Sequence, residues 1–252
     1  MMKLDGKKIL VTGGTRGIGA ALVDGLLEKG CEVLVVARDE AALAKLAERE
    51  GVSTLAADLA EPDTPRIIAR WVADEHSDCA GLINNAAIMD HTFLTRSPLT
   101  KLDRIEREVT INLIAPIQLT AALLPVLSAQ PEAVIVNITS GLALSPIPNA
   151  ATYCATKAGL SIFTKALRYQ VVAEGWNIQL SEAMMTLVDT SLSEGDPLRK
   201  YAPAAAARDV LRGVEKGKKV IYIEKVKLLH RIWRISPAIA DRIMGSHSGA
   251  TA

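Results

Sequence analysis

Tyr153 and Lys157 stand at i and i+4 in the stretch YCATK, and Ser140 stands upstream of them in NITSG. On a helix that spacing puts a phenol and an ammonium on one face. A cation beside a phenol favours the phenolate. Bringing a tyrosine from its ordinary pKa of ~10 toward ~7 takes about 4 kcal/mol of differential stabilisation, which a close cation in a partly desolvated cleft supplies. A tyrosine so poised exchanges a proton with a carbonyl oxygen. A serine hydroxyl at a strand end can hydrogen-bond that oxygen as it becomes alkoxide-like. Each residue alone has an ordinary explanation, Ser140 as a turn residue and Tyr153 as packing at a helix start; their joint spacing points to catalysis.

A second chemical stretch is TGGTRGIGAAL, where Gly13, Gly17 and Gly19 follow an apolar run and open a helical one. Glycines there allow a tight turn and close backbone approach to a pyrophosphate, whose charge is favoured by the free N–H groups and dipole of the helix N-terminus. The end of the next strand, VVARDE, selects between dinucleotides, because an acidic residue at this place takes the ribose hydroxyls of NAD. Ala37 supplies no carboxylate, whereas Arg38 and Arg16 supply guanidinium groups that could flank a 2′-phosphate. Asp39 dissents, but reads better as the cap of the following helix. NADP(H) is the expected cofactor and NAD(H) the alternative.

These residues need a scaffold. Apolar runs at Lys7–Thr12, Glu32–Ala37, Ser53–Ala57, Gly81–Asn85, Ala133–Ile138, Asn177–Glu182 and Val220–Glu224 read as strands covered on both faces. Segments of helical period lie between them, at Gly17–Lys29, Glu40–Glu50, Pro62–Glu75, Leu102–Leu127, Tyr153–Ala173 and Pro203–Lys216. The alternation predicts a Rossmann-like doubly wound parallel sheet with helices on both faces, one α/β domain over residues 1–224, and a helical tail over 225–252 packed on it. Ligands of such sheets sit outside the C-terminal strand ends, where the strand order reverses.

Composition narrows the partners. The chain has 252 residues, with 29 Lys plus Arg against 28 Asp plus Glu and a net charge of +1. That balance offers no electrostatic excess for nucleic acid. Cys31, Cys79 and Cys154 are three in number without CxxC spacing, and His76, His230 and His247 show no ligand spacing, so neither a disulfide framework nor a metal site is expected. His91 could line a substrate mouth; Cys154 reads as a small buried residue. Without a signal-like h-region, a cytoplasmic protein acting on a small molecule is the expectation. The NIT sequon at Asn137 ends a core strand and is discounted on the same ground.

With these motifs in order, the sequence resembles the short-chain dehydrogenase/reductase family, in the subclass bearing TGxxxGxG and YxxxK. The resemblance rests on TGGTRGIG (Thr12–Gly19), DL (Asp58–Leu59), NNAA (Asn84–Ala87), INL (Ile111–Leu113), NITSG, YCATK and LVDT (Leu187–Thr190). It implies Tyr153 as general acid/base, with Lys157 lowering its pKa and holding the nicotinamide ribose. Ser140 would position the substrate oxygen, and Asn112 would support a water in a proton relay. It further implies cofactor contacts at Gly13, Thr15, Arg16, Gly17, Ile18, Gly19, Arg38, Leu59, Asn85, Ala86 and Ala87, with Asp58 at the adenine and Val188 and Thr190 at the carboxamide. Helices Leu102–Leu127 and Tyr153–Ala173 would pair in a homodimer or homotetramer. Two departures stand out: Ala87 replaces the usual glycine of NNAG, and EAMMTLVDT replaces the usual proline-glycine after the sixth strand. That loop and the tail are similar to a family branch named after teichoic-acid D-alanylation operons.

The resulting expectation is an NADP(H)-dependent oxidoreductase acting on a carbonyl or alcohol. Its candidate pocket residues are Ile88, Met89, Leu142, Ala143, Pro146, Ile147, Met184, Met185 and Leu192. The competing reading is a catalytically silent nucleotide-binding regulatory or interaction protein. In the tail, Leu228, Leu229, Ile232, Trp233 and Ile235 follow helical spacing with Lys227, His230, Arg231 and Arg234 opposite, and Ser236–Pro237 reads as the start of another helix. Packing on the domain is the expectation for this stripe; contact with a membrane is the alternative.

Overall fold

In a computed structural model, which describes residues 2–91, 93–96, 101–193 and 199–246, the apolar runs form one parallel sheet. Its strands are β1 (Lys8–Thr12), β2 (Glu32–Ala37), β3 (Val52–Ala56), β4 (Cys79–Asn84), β5 (Ala133–Ser140), β6 (Ile178–Met185) and β7 (Val220–Tyr222), in the order β3-β2-β1-β4-β5-β6-β7. The order reverses between β1 and β4. Strand residues alternate between two cores: Ile9, Val11, Val33 and Val35 face α1 (Gly17–Leu27), α2 (Glu40–Ala47) and α7 (Pro203–Glu215). Leu10, Leu34, Leu82 and Ile135 face the other side, toward α3 (Thr64–Glu75), α5 (Ala115–Ser128) and α6 (Ala151–Ala173). Both faces are covered, which explains why the strands read as continuous apolar runs.

The expected helix Leu102–Leu127 is interrupted. α4 (Leu102–Val109) passes into one π turn, Thr110–Ile114, before α5 begins, so Asn112 sits in the irregular turn. Such turns insert a residue, and they recur at functional sites. By length and composition Leu102–Ser128 could cross a membrane; here Ile111, Leu119, Leu123 and Leu127 are buried in the second core.

Strand β6 runs three residues past its expected end, to Met185, in register with β5 through Ser140. Val188 then forms an isolated parallel bridge with Tyr201. After β7 the chain turns at Glu224, in the left-handed region with φ 46°, into α8 (Val226–Ile235) and α9 (Pro237–Ser246). Ser236 accepts from the Ile239 amide at 3.4 Å, so the expected helix start at Ser236–Pro237 is present. The tail packs on the domain: Val226 and Ala240 are buried, and the Ser145 hydroxyl donates to Asp241 Oδ1 at 2.7 Å. Leu228 and Ile235 of the expected apolar stripe nevertheless remain exposed. His247 and residues 248–252 lie outside the described residues.

Candidate active site

A cleft of about 800 Å³ opens along the C-terminal ends of β1, β2, β4, β5 and β6. Its nucleotide end is built by the glycine turn. Gly13 and Gly17 hold φ of 68° and 57°, and a Cβ on Gly19 would stand 2.0 Å from the Gly13 carbonyl oxygen, so no other residue fits there. The turn is fastened from β4: Asn85 Nδ2 donates to the carbonyls of Thr12 (2.9 Å) and Gly13 (3.2 Å), while the Thr12 hydroxyl accepts from the Asn85 and Ala86 amides. Helix α1 starts at Gly17 with no acidic residue in its first turn, which leaves its N-terminal N–H groups and dipole facing the cleft for an anion. The arrangement fits a dinucleotide pyrophosphate.

Charges define the far end. Asp39 accepts from the Ala42 amide at 3.0 Å, and is therefore the cap of α2. Asp58 pairs with Arg107 at 2.9 Å and with Arg38 at 3.5 Å, and also takes the Ala60 amide. Burial opposes its charge, but the amide and the two guanidinium groups prevail and hold it below the ordinary carboxylate range. Arg16 and Arg38 both line the cleft and are exposed.

The catalytic candidates converge at the middle. Ser140 ends β5, and its Oγ accepts from the Leu142 amide at 3.1 Å. Tyr153, in the first turn of α6, lines the same cleft as Ser140. Lys157 is 2 % exposed; its Nζ donates to the Ile138 carbonyl at 2.9 Å and lies 5.6 Å from the Tyr153 ring centroid. Burial pulls the Lys157 pKa down to about 8. Burial also raises the Tyr153 pKa, reinforced by nearby Cys154 and Glu108 and opposed by the Ser140 side chain. The expected lowering of the phenol's pKa by Lys157 is not seen; desolvation dominates and keeps the phenol neutral.

Of the residues expected in the site, Gly13, Thr15, Arg16, Gly17, Ile18, Gly19, Arg38, Asp58, Leu59, Asn85, Ala86, Ala87, Ser140, Tyr153, Lys157, Val188 and Thr190 all line this cleft. Asn112 does not. Its side chain clamps the loop after β4, accepting from Ile88 N–H at 2.9 Å and donating to Ile88 O at 2.7 Å. Among the apolar candidates, Ile88, Met89, Leu142, Ile147, Met185 and Leu192 line the cleft; Ala143, Pro146 and Met184 do not, Met184 being the buried β6 residue before Met185, whose side chain takes the other face of the strand.

Several contributors escaped the sequence reading. Glu108, 1 % exposed and one turn before Asn112, accepts from the Asp90 amide at 3.1 Å, so two consecutive helix turns grip alternate residues of one loop. Burial pushes its carboxyl up to about 7, opposed by that amide and by Lys157. Behind the site, Asn84 Nδ2 donates to Thr120 and Asn137, and Asn137 donates to Thr164, a buried polar chain joining β4 and β5 to α5 and α6. Asn149 lines the cleft with its buried Oδ1 lacking a donor. Val226, Leu229 and Met244 of the tail close the wall opposite the loop after β4.

Comparison with known proteins agrees with this architecture. A family model described as short chain dehydrogenase matches residues 7–198. The uncharacterized oxidoreductase DltE of Bacillus subtilis is 34% identical over 236 residues, covering 90% of this chain and 91% of its own. A short chain dehydrogenase from Burkholderia cenocepacia, solved in complex with NADP, superposes with a TM-score of 0.86 at 24% identity, covering 96% of this chain and 99% of that one. One from Burkholderia phymatum, in complex with NAD, gives 0.82 at 20% identity, covering 93% and 96%.

Proposed function

The chain belongs to the short-chain dehydrogenase family, and on that premise we propose that it is an NADP(H)-dependent oxidoreductase interconverting a carbonyl and an alcohol on a small, largely apolar substrate. The observation that carries the reading is that Ser140, Tyr153 and Lys157 line one cleft together with the glycine turn, Lys157 Nζ standing 5.6 Å from the Tyr153 ring centroid. A nicotinamide dinucleotide held by the glycine turn and the residues around it would supply or accept the hydride. Ser140 and Tyr153 hold the carbonyl oxygen, and Tyr153 gives it a proton as negative charge develops. The Lys157 ammonium stabilises the phenolate left behind until a solvent proton restores it. Asn112 acts at one remove, through its clamp on Ile88.

Preference for NADP(H) is supported by Ala37 at the end of β2, by Arg16 and Arg38 at the cleft rim, and by the commitment of Asp39 to its helix. The NADP complex of the Burkholderia cenocepacia relative agrees. The test is NADPH and NADH oxidation followed by absorbance against a panel of ketones and aldehydes. Turnover with a lower Michaelis constant for NADPH is expected. Replacing Ala37 with Asp and Arg38 with Gln should move the preference toward NADH, since a carboxylate repels the 2′-phosphate. A parent enzyme that favours NADH sinks the cofactor assignment; cofactor binding without turnover on any carbonyl would favour the silent regulatory reading.

A further inference from the structure

The two ends of the cleft carry different charge. Both acids that line it, Asp39 and Asp58, sit at the nucleotide end with Arg16 and Arg38. Beyond Tyr153, the described charged or titratable lining residues are His91, Arg199 and Lys225, set around an otherwise apolar chamber that includes Met89, Ile147, Met185 and Leu229.

Arg199 and Lys225 are drawn together, because Lys225 Nζ donates to the Arg199 carbonyl at 3.4 Å. Lys225 immediately precedes Val226, whose side chain packs on Gly141 next to Ser140, so the pair stands on the substrate side of the cleft. The nearby acids among the described residues are engaged elsewhere. Glu224 Oε2 accepts from the Lys225 backbone amide at 2.9 Å and from the Thr186 hydroxyl at 3.2 Å, Asp189 pairs with Lys200, and Asp241 takes the Ser145 hydroxyl. Among the described residues neither Arg199 nor Lys225 has a carboxylate within ion-pair distance.

Lys225 and Arg199, two cations without a carboxylate partner among the described residues, line the apolar chamber and form a place for an anion on the end of an apolar molecule. We propose that Lys225 and Arg199 form an anion subsite, and that the substrate is an amphiphile whose carbonyl-bearing apolar body fills the chamber while its carboxylate or phosphate is held by the two cations. The inference rests on the carbonyl-reductase reading for its chemistry, but the subsite can be tested apart from it.

Two measurements do so. In the first, decanoate, decyl phosphate and decanol are titrated calorimetrically into the NADP⁺-loaded enzyme, at low and high salt. The anions should bind at least about tenfold tighter than the alcohol, an advantage of about 1.4 kcal/mol that salt diminishes. Comparison of the two anions tells carboxylate from phosphate. In the second, ω-oxo fatty acids of increasing chain length and their methyl esters are reduced with NADPH, and kcat/KM for acid over ester is taken within each variant, so that a general loss of activity cancels. The ratio should exceed about ten in the parent at the best chain length, fall toward one in Lys225→Gln/Arg199→Gln, and survive in Lys225→Arg.

Equal treatment of acid and ester by the parent, or a preference that persists in the double variant, overturns the subsite while leaving carbonyl reduction standing. Anion binding that depends on Lys225 and Arg199 without reduction of any carbonyl keeps the subsite and removes the reductase reading.

Discussion

Replacing Tyr153 with Phe removes a hydroxyl from the end of a ring that keeps its packing, so cofactor binding should survive while the proton donor is lost. NADPH dissociation constants within about twofold of the parent, with turnover reduced by about 10²–10⁴, are expected from fluorescence titration and steady-state rates. A near-parental rate would remove Tyr153 from the mechanism. Lys157→Met should weaken binding and turnover together and leave the buried Ile138 carbonyl without its donor. The two buried ionisable groups act oppositely with pH. Lys157 loses its proton through about pH 8, and reduction should decline as pH rises through that value. Its depressed pKa means the folded chain holds fewer protons than the unfolded chain between about 8 and 10.5, so this group adds stability as pH rises across that window. Glu108, raised from 4.5 to about 7, holds an extra proton when folded and contributes stability that is fully present below 4.5 and lost as pH rises through about 7. In Glu108→Gln that loss should be absent, seen as a flatter dependence of melting temperature on pH between those values.

At the scale of elements, the π turn sets Asn112 against the loop after β4 and the glycine turn sets α1 against β4, and each has a breaking substitution. Asn112→Ala leaves the Ile88 N–H and C=O without their partners and should cost about 1–3 kcal/mol in urea denaturation. In Gly19→Ala the new methyl meets the Gly13 carbonyl oxygen, so NADPH binding should be lost before the fold is. A variant that still binds NADPH as the parent does would mean that the turn can relax. All seven strands were legible because a strand covered on both faces is written as an unbroken apolar run. The π turn was not, since five residues of altered winding leave the apolar pattern of a 27-residue helix in place. Glu108 was hidden for another reason: in IEREV it reads as one more charge on a solvated face, and only the packed loop over it makes it a buried acid. The Asp58–Arg107 pair spans 49 positions and depends on tertiary approach. The site motifs were legible as linear spacing; the supports that hold them were not.

For the whole molecule, the outward face of α6 exposes Ile162, Tyr169 and Val172, with Ile114 of the π turn also exposed. A second copy covering that surface is the expected assembly, so light scattering should return a multiple of 26.9 kDa and Ile162→Glu/Val172→Glu should lower it. A chain ending at Glu224 should still bind NADPH, melt roughly 5–10 °C lower in calorimetry, and lose discrimination among carbonyl substrates, because Val226, Leu229 and Met244 leave the wall. Unchanged discrimination would place the specificity elsewhere. The route of the tail also has a consequence for biosynthesis. Chains emerge N-terminus first, and domains begin to fold as they do. The glycine turn, β2 and the Asn85 fastening precede β5 in the sequence, while the wall beside Gly141 comes from Val226 and Leu229, made much later. A nascent chain can thus carry the glycine turn and its fastening before the wall beside Gly141 exists.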